Sequence, residues 1–289
     1  MAALQTCVSA MGMYMAPSVK SEEEREARAI EFIGKFPTLV AAAHRVREGK
    51  DIIDPDTSLN RSADFLRMIT GEKPDDFGAD VLNVSLILHA DHTMNASTFA
   101  ARVTASTESE PAAAVAAAVG SLSGPLHGGA NERVLIMLEK IGSKENVAAW
   151  VEQKLARREK IMGLGHRVYK TKDPRATILQ KLAHEMFEQL GTSPFYESAV
   201  EIEKCTEENL GKRGIYPNVD FYSGIVYNKL GIPSDLFTPI FAVSRIAGWM
   251  AHWLEQMRDN RLFRPTQHYT GEREVPYVPI GERKEQVSA

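Results

Sequence analysis

The sequence has 289 residues, of which 44% are hydrophobic and 25% are charged, and its formal net charge is −4. This composition is typical of a soluble globular protein with one large domain or two smaller ones, and the 34 scattered lysine and arginine residues argue against nucleic acid or an anionic membrane as the main partner. Only Cys7 and Cys205 occur, which is too few for a disulfide framework and fits a reducing compartment.

The N-terminal segment 1–15 is apolar but lacks the basic region of a signal peptide. No apolar run reaches the ~18 residues that a membrane-spanning helix requires, so we expect a cytoplasmic protein. Ser21 and Glu24 then match a capping box, and the helix that they open is expected to break or kink at Pro37.

Further helices are predicted along the chain. Segment 60–70 has apolar residues at helical spacing and stops at Gly71, whereas 81–103 is a longer apolar segment. Ser143 is expected to cap another helix, and Asp173 with the following proline is expected to begin one that ends before residue 191.

The character of the sequence changes between residues 133 and 231, where amphipathic helices with charged faces replace smoother apolar segments. We therefore predict a mainly α fold with a large domain formed by 1–132 and 232–289, an inserted small domain formed by 133–231, and a cleft between them. The last predicted helix is apolar almost all round, and Arg245 in its middle is expected to be a buried charge that needs an anionic partner.

Three short polar segments each place a titratable side chain beside glycine or proline. They are GPLHGGANE at 124–132, GLGHRVYKTKDPR at 163–175 and PNVD at 217–220. Their two histidines and one aspartate suit the removal of a weakly acidic proton from carbon and the stabilisation of oxyanions, which is acid–base chemistry that needs no metal.

Structural explanations compete with these functional ones. Asp220 alone would most often be a helix cap, and the spacing of His89 and His92 could indicate a metal pair. No third ligand lies nearby in the sequence and no HExxH motif occurs, so we expect no metal. Trp249 and Trp253, four residues apart, are most simply explained as core residues.

The three polar segments, in this order and spacing, resemble the citrate synthase family. The resemblance extends over nearly the whole chain through FLRMITGEKPD, HADHTMNAS, AVSRIAGWMAHWLEQ and RLFRPTQHYTG. It implies a two-domain, mainly α fold and the condensation of acetyl-CoA with oxaloacetate, followed by hydrolysis of the thioester. It implies that Asp220 removes the methyl proton, that His127 hydrogen-bonds the thioester oxygen, and that His166 polarises the ketone of oxaloacetate.

The resemblance also implies a clamp for the two carboxylates of oxaloacetate, formed by His92, Arg175, Arg245 and Arg264. Arginine suits this role because its planar guanidinium binds a carboxylate at two points and stays charged. The arginine that matches position 264 reaches the partner subunit's site in the family, so a homodimer or larger oligomer is expected.

For the CoA part of the substrate, the resemblance implies that Gly163, Leu164 and Gly165 contact the adenine ring and that Lys170 meets a phosphate. Acetyl-CoA enters as a substrate, and no resident cofactor is expected.

Family members normally have a further N-terminal part before the position that matches Met1. Three hypotheses follow: an active citrate synthase, a 2-methylcitrate synthase that uses propionyl-CoA, and a weakly active assembly module that oligomerises through apolar helices. The second differs from the first by one methylene in a pocket, which is worth only about 1–3 kcal/mol of discrimination.

Overall fold

A computed structural model describes residues 1–15, 21–166, 169 and 171–283, apart from the side chains at positions 208 and 212. Over these residues the chain is helical and contains no β-strand, which confirms the predicted mainly α fold. The helices are α1 Ala2–Tyr14, α2 Glu22–Arg47, α3 Arg61–Thr70, α4 Asp76–His89, α5 Ala96–Ala105, α6 Pro111–Leu122, α7 Ala130–Ile141, α8 Val147–Ala156, α9 Pro174–Leu190, α10 Pro194–Leu210, α11 Val219–Lys229 and α12 Phe237–Arg258.

Side-chain caps fix several helix starts where the sequence predicts them. Ser21 Oγ accepts a hydrogen bond from the Glu24 amide at 3.1 Å, and the Glu24 carboxylate accepts one from the Ser21 amide, so the capping box is complete. Asp173 caps α9 with a single bond, in which its Oδ1 accepts from the Arg175 amide at 2.9 Å, and Gly71 ends α3 in the left-handed conformation.

The predicted break at Pro37 is wrong, because α2 runs without interruption through this residue. Proline removes one backbone hydrogen bond and typically costs about 3 kcal/mol inside a helix. On either side, Phe36 and Val40 are buried, and α2 packs along α12. Burial of these apolar side chains offsets the lost bond and keeps the helix continuous.

Two other predicted elements differ in detail. The apolar segment 81–103 forms parts of α4 and α5, which are separated by a turn in which Thr93 has φ of +51° and Asn95 caps α5. Ser143 makes no capping hydrogen bond, and a short 3₁₀ helix at Lys144–Asn146 precedes α8. Helical periodicity predicted the buried faces here, but not the local turns between them.

Helix α12 lies at the centre of the core and packs against α2, α4, α5 and α6, with Trp249 and Trp253 buried. Helix α1 lies close to α6, where a Cβ atom on Gly12 would be 3.0 Å from Ala112. Within the described ranges, no helix is long and apolar enough to cross a membrane.

Helices α8 to α11 form a second group of contacts, in which α11 packs on α9 and α7, and α10 packs on α8 and α7. Helix α7 also contacts α12, and it begins at Ala130, so the predicted boundary after residue 132 falls inside its first turn. The loop around Gly231 separates α11 from the next helix, near the second predicted boundary. The division into two domains stays a prediction.

Candidate active site

His127 lies in the turn between α6 and α7, where its amide donates a hydrogen bond to the Gly124 carbonyl at 2.9 Å. The next residue must be glycine, because a Cβ atom on Gly128 would lie 2.4 Å from the Leu122 carbonyl oxygen. This tight turn places the imidazole of His127 against the start of α5.

The imidazole of His127 is held by Ser97 on α5. Its Nε2 atom lies 2.8 Å from Ser97 Oγ and 3.3 Å from the Ser97 amide, while the Trp249 indole donates to the same hydroxyl at 3.1 Å. Burial, together with the positive charge of Arg245, lowers the pKa of His127 to about 4. The imidazole is therefore neutral at pH 7.

Asp220 lies in the first turn of α11, where its amide donates to the Asn218 side chain at 3.0 Å. Part of the residue is exposed, but its Oδ1 atom is covered and has no hydrogen-bond partner among the described residues. Burial raises the pKa of Asp220 to about 6, against the opposing charges of Arg175 and Arg245. An unsolvated carboxylate of this kind is a stronger base than aspartate in water.

The second and third polar segments are joined by backbone hydrogen bonds. The Gly165 amide donates to the Tyr216 carbonyl at 2.8 Å, and the Asn218 amide donates to the Gly163 carbonyl at 2.9 Å. The Asn218 side chain also donates to the Gly165 carbonyl at 2.9 Å. These bonds fix the loop that carries His166 beside the turn that carries Asp220.

Three rings lie together next to this loop. The ring centroids of His92 and His166 are 5.0 Å apart, those of His166 and Tyr169 are 4.8 Å apart, and His92 Nε2 lies 3.2 Å from the Tyr169 hydroxyl. Burial and the charge of Arg175 lower the pKa of both histidines, that of His92 to about 4. Two neutral imidazoles therefore face the same space.

Arg175, in the first turn of α9, forms a two-point pair with Asp173: its Nε lies 3.1 Å from Oδ1 and its Nη2 lies 2.8 Å from Oδ2. Burial acts to raise the pKa of Asp173, but the hydrogen bonds and charge of Arg175 outweigh it and lower the pKa below its usual value. The guanidinium is thereby held in a fixed orientation before any anion binds.

Arg245 is buried in α12, as predicted, but its partner is not an anion. Its Nε donates to the His89 carbonyl at 2.7 Å, and its guanidinium lies 4.7 Å from the centre of the Phe241 ring. No carboxylate forms an ion pair with it in the described part of the chain. Burial lowers its pKa to about 10, so it stays charged at pH 7 and retains free donors for an anion.

Arg264 is separate from this cluster. It is exposed in the segment that follows α12, and its guanidinium donates to the neighbouring Pro265 carbonyl at 3.1 Å. The predicted clamp residues His92, Arg175 and Arg245 lie within electrostatic range of one another, since the charges of both arginines lower the pKa of His92. The fold therefore brings together three of the four predicted clamp residues within one chain.

The residues predicted to contact CoA lie in two different environments. Leu164 and Gly165 line a cavity of about 670 Å³, whereas Gly163 packs against Phe221 and Val134. Lys170 lies outside the described residues.

Three cations that the sequence reasoning missed, Arg158, Lys160 and Arg213, also line this cavity. The concentration of basic residues in 154–160, just before the glycine loop, is the signal that could have found two of them. Ser97 and Asp173 were missed as site residues because their sequence pattern is that of ordinary helix-start residues.

His89 is buried at the end of α4, where its Nδ1 lies 2.8 Å from the Ser85 carbonyl and its ring packs edge-on against Phe241. It does not form a pair of ligands with His92. Within the described residues, no group of three histidine, cysteine or acidic side chains is arranged to hold a metal ion.

Comparison with known proteins gives one consistent family. The family model "Citrate synthase, C-terminal domain" matches residues 1–266. The citrate synthase of Synechocystis sp. is 56% identical over 98% of this chain and 72% of its own length, and that of Deinococcus radiodurans is 46% identical over 98% of this chain and 76% of its own length.

Solved structures are similar over the same extent. The Thermoplasma acidophilum citrate synthase, solved as a ternary complex with carboxymethyl coenzyme A and oxaloacetate, superposes with a TM-score of 0.90 at 35% identity, covering 97% of this chain and 75% of its own. The Pyrobaculum aerophilum citrate synthase superposes with a TM-score of 0.89 at 39% identity, covering 97% and 73% respectively.

Proposed function

The chain belongs to the citrate synthase family, and we propose that it condenses acetyl-CoA with oxaloacetate and then hydrolyses the citryl thioester to citrate and CoA. It is an acyltransferase of this family. The observation that carries the proposal is the covered, unpartnered Oδ1 atom of Asp220 within a group of neutral histidines and charged arginines.

In the first step, Asp220 removes a proton from the methyl group of acetyl-CoA. The C–H bonding pair moves into the enolate, and the negative charge develops on the thioester oxygen. A neutral His127 donates a hydrogen bond to this oxygen, and burial of both groups strengthens the interaction. The lowered pKa of His127 is consistent with this role because the imidazole is then neutral at pH 7 and, with Nε2 accepting from the Ser97 amide, keeps one N–H group to donate to the oxyanion.

In the second step, the enolate carbon attacks the ketone carbon of oxaloacetate. His166 polarises the ketone by donating a hydrogen bond from its N–H group, and this proton passes to the alkoxide as the C–C bond forms, which leaves His166 as the imidazolate; His92, Arg175 and Arg245 bind the carboxylates. The fixed orientation of Arg175 by Asp173 supports this clamp, because a guanidinium that is already ordered loses less side-chain entropy on binding. Water then cleaves the thioester: its oxygen enters the new citrate carboxylate, one of its protons goes to the leaving CoA thiolate, the other returns His166 to the neutral form, and Asp220 releases its proton to solvent.

The cavity beside Leu164 and Gly165 suits the adenosine end of CoA. It is lined by apolar side chains, by three cations, Arg158, Lys160 and Arg213, and by Glu159, whose carboxylate pairs with Lys154; the excess of positive charge next to apolar walls matches a planar base next to phosphate. Lys170 is proposed as a further phosphate contact. No resident cofactor or metal is needed in this scheme.

We propose that the protein is a homodimer in which Arg264 completes the partner's clamp. The segment after α12, which carries Arg264, supports this arrangement because it also leaves the apolar side chains of Leu262, Tyr269, Tyr277 and Ile280 exposed. Burial of such side chains against a second copy would be favourable. We also propose a cytoplasmic location, which fits the two free thiols of Cys7 and Cys205.

The decisive experiment is an assay of free CoA thiol released by the purified chain with oxaloacetate. Acetyl-CoA and propionyl-CoA are compared, and the Asp220→Asn variant is the blank. We expect turnover with acetyl-CoA that the blank lacks. Faster turnover with propionyl-CoA would identify propionyl-CoA, and not acetyl-CoA, as the preferred substrate. A folded protein without turnover would contradict the proposed function.

A further inference from the structure

Glu203 in α10 is a buried carboxylate that three other side chains contact. It accepts hydrogen bonds from Lys172 Nζ, from the Tyr222 hydroxyl and, at 2.6 Å, from Gln180 Nε2. Only 9% of the residue is exposed. Lys172 Nζ also donates to Gln180 Oε1 at 2.5 Å, so the network joins α9, α10, α11 and the loop before α9.

Two members of this network lie directly beside the proposed catalytic machinery. Lys172 immediately precedes Asp173, the residue that holds the guanidinium of Arg175. Tyr222 lies two residues after Asp220, in the first turns of α11. Glu203 therefore connects the loop that carries the anion clamp with the helix that carries the base.

Burial of a carboxylate in a helical core is unfavourable unless charged and polar partners compensate it. Apolar residues would pack α9, α10 and α11 together without this cost, but they would impose no fixed direction on Lys172 or Tyr222. A fully hydrogen-bonded buried network restricts its members to one arrangement. This difference is the physical reason to assign Glu203 more than a packing role.

We propose that Glu203 is a positioning residue that acts on the reaction through two separate contacts. Its bond to Lys172 fixes the Asp173–Arg175 pair and so favours oxaloacetate binding. Its bond to Tyr222 fixes the first turns of α11 and so orients the carboxylate of Asp220. This inference rests on the proposed function, and it adds to it a residue that does not touch either substrate.

The two contacts predict separable effects, one on oxaloacetate binding and the other on kcat. Lys172→Met should raise the dissociation constant for oxaloacetate about tenfold, as expected for the loss of a hydrogen bond to a charged group, and should change kcat less than twofold. Tyr222→Phe should lower kcat about tenfold and leave the dissociation constant within twofold. Glu203→Gln removes the charge opposite Lys172 but retains polar atoms opposite Tyr222, so its effect on binding should exceed its effect on kcat.

A matched variant controls for general loosening of this part of the protein. Lys229→Met removes an ammonium group that donates to the Leu190 and Gly191 carbonyls, in the last turn of α11 and away from Asp220. Neither hydrogen bond reaches the clamp loop or Glu203. This variant should retain the binding constant and kcat of the parent protein.

Oxaloacetate binding is measured by calorimetry without acyl-CoA, and kcat by thiol release. Lys172→Met and Tyr222→Phe variants that lower only the melting temperature, or that change binding and kcat equally, would overturn the proposal. If the parent protein binds oxaloacetate but lacks turnover, the proposed function fails, whereas the binding measurements still decide the role of Lys172. A parent protein that does not bind oxaloacetate would overturn both.

Discussion

The hydroxyl of Ser97 lies 2.8 Å from Nε2 of His127 and joins two parts of the chain that are distant in sequence. The same hydroxyl accepts the indole hydrogen bond of Trp249, so α5, α12 and the His127 turn meet at one oxygen atom. The orientation of the imidazole is therefore determined by residues that carry no obvious chemical signal of their own.

Ser97→Ala tests this relationship. It leaves Trp249 Nε1 buried without its partner, which should cost about 1–3 kcal/mol of stability, and it releases one constraint on His127, which should lower kcat about tenfold. Thermal unfolding and thiol release measure the two effects. Ser85→Ala is the control, because its buried hydroxyl donates only to the Val81 carbonyl of its own helix. Equal kcat values for the two variants would contradict the positioning of His127 by Ser97.

The pKa of Asp220 predicts how activity depends on pH. As the proposed base, Asp220 must be ionised to accept a proton, and its pKa is raised to about 6, so kcat/KM for acetyl-CoA should fall about tenfold per pH unit below that value. His92 and His127, with pKa values of about 4, stay neutral through this range. An initial-rate series from pH 5 to 8 provides the measurement, and a profile without a decrease toward pH 5 would exclude Asp220 as the base.

The same carboxyl group predicts a stability difference for Asp220→Asn. The folded-state pKa of about 6 lies above the ordinary value of 3.8, so ionisation of Asp220 disfavours the folded state. This penalty is absent below pH 3.8, develops between pH 3.8 and 6, and is complete above pH 6. The Asn variant should be more stable at pH 7 by on the order of 1–3 kcal/mol.

Denaturant unfolding of both proteins at pH 4.5 and pH 7.5 measures this difference, which should be larger at the higher pH. The variant should also bind oxaloacetate as the parent does while it lacks turnover. A stability difference that does not change with pH would show that the carboxyl group is better solvated than its covered Oδ1 atom indicates.

The main effect of Arg175→Leu should be weaker binding of oxaloacetate. Hydrogen bonds to a charged group contribute about 1.5–3 kcal/mol, so the dissociation constant should rise about 10–150-fold in calorimetry. Arg67→Leu is a matched control, because Arg67 forms a comparable ion pair with Asp64 at 2.7 Å on α3. The control variant should bind oxaloacetate normally, and similar losses in both variants would show that the clamp is misplaced.

Gly163→Ala should destabilise the loop that carries His166. The new Cβ atom would lie 2.8 Å from both Phe221 and Val134, at a φ of +77° that side chains rarely adopt. Left-handed strain and overpacking together should cost about 2–4 kcal/mol. Gly49→Ala separates the two causes, because its φ is +66° but nothing lies within 4 Å of the added Cβ atom, and it should cost about 1–2 kcal/mol. Denaturant unfolding compares the two, and equal losses would contradict the crowding at Gly163.

Much of the helical architecture was predictable because it depends on local signals. The capping residues Ser21 and Asp173 and the terminating Gly71 act through hydrogen bonds and backbone preferences within a few residues, and the structure has helix ends at these positions. The break expected at Pro37 failed because a tertiary contact, the packing of α2 along α12, outweighs the local cost of proline.

The sequence by itself determined the helical class, the family and the chemical types available for catalysis, because these depend on periodicity, capping and the order of short motifs. Only the tertiary structure decided that Arg245 meets a carbonyl rather than an anion, that Ser97 holds His127, and that Glu203 connects Lys172 with Tyr222. Such contacts join residues far apart in the chain. The strength of these contacts depends on burial and on the distances between atoms, and both are set only when the chain is packed into its fold.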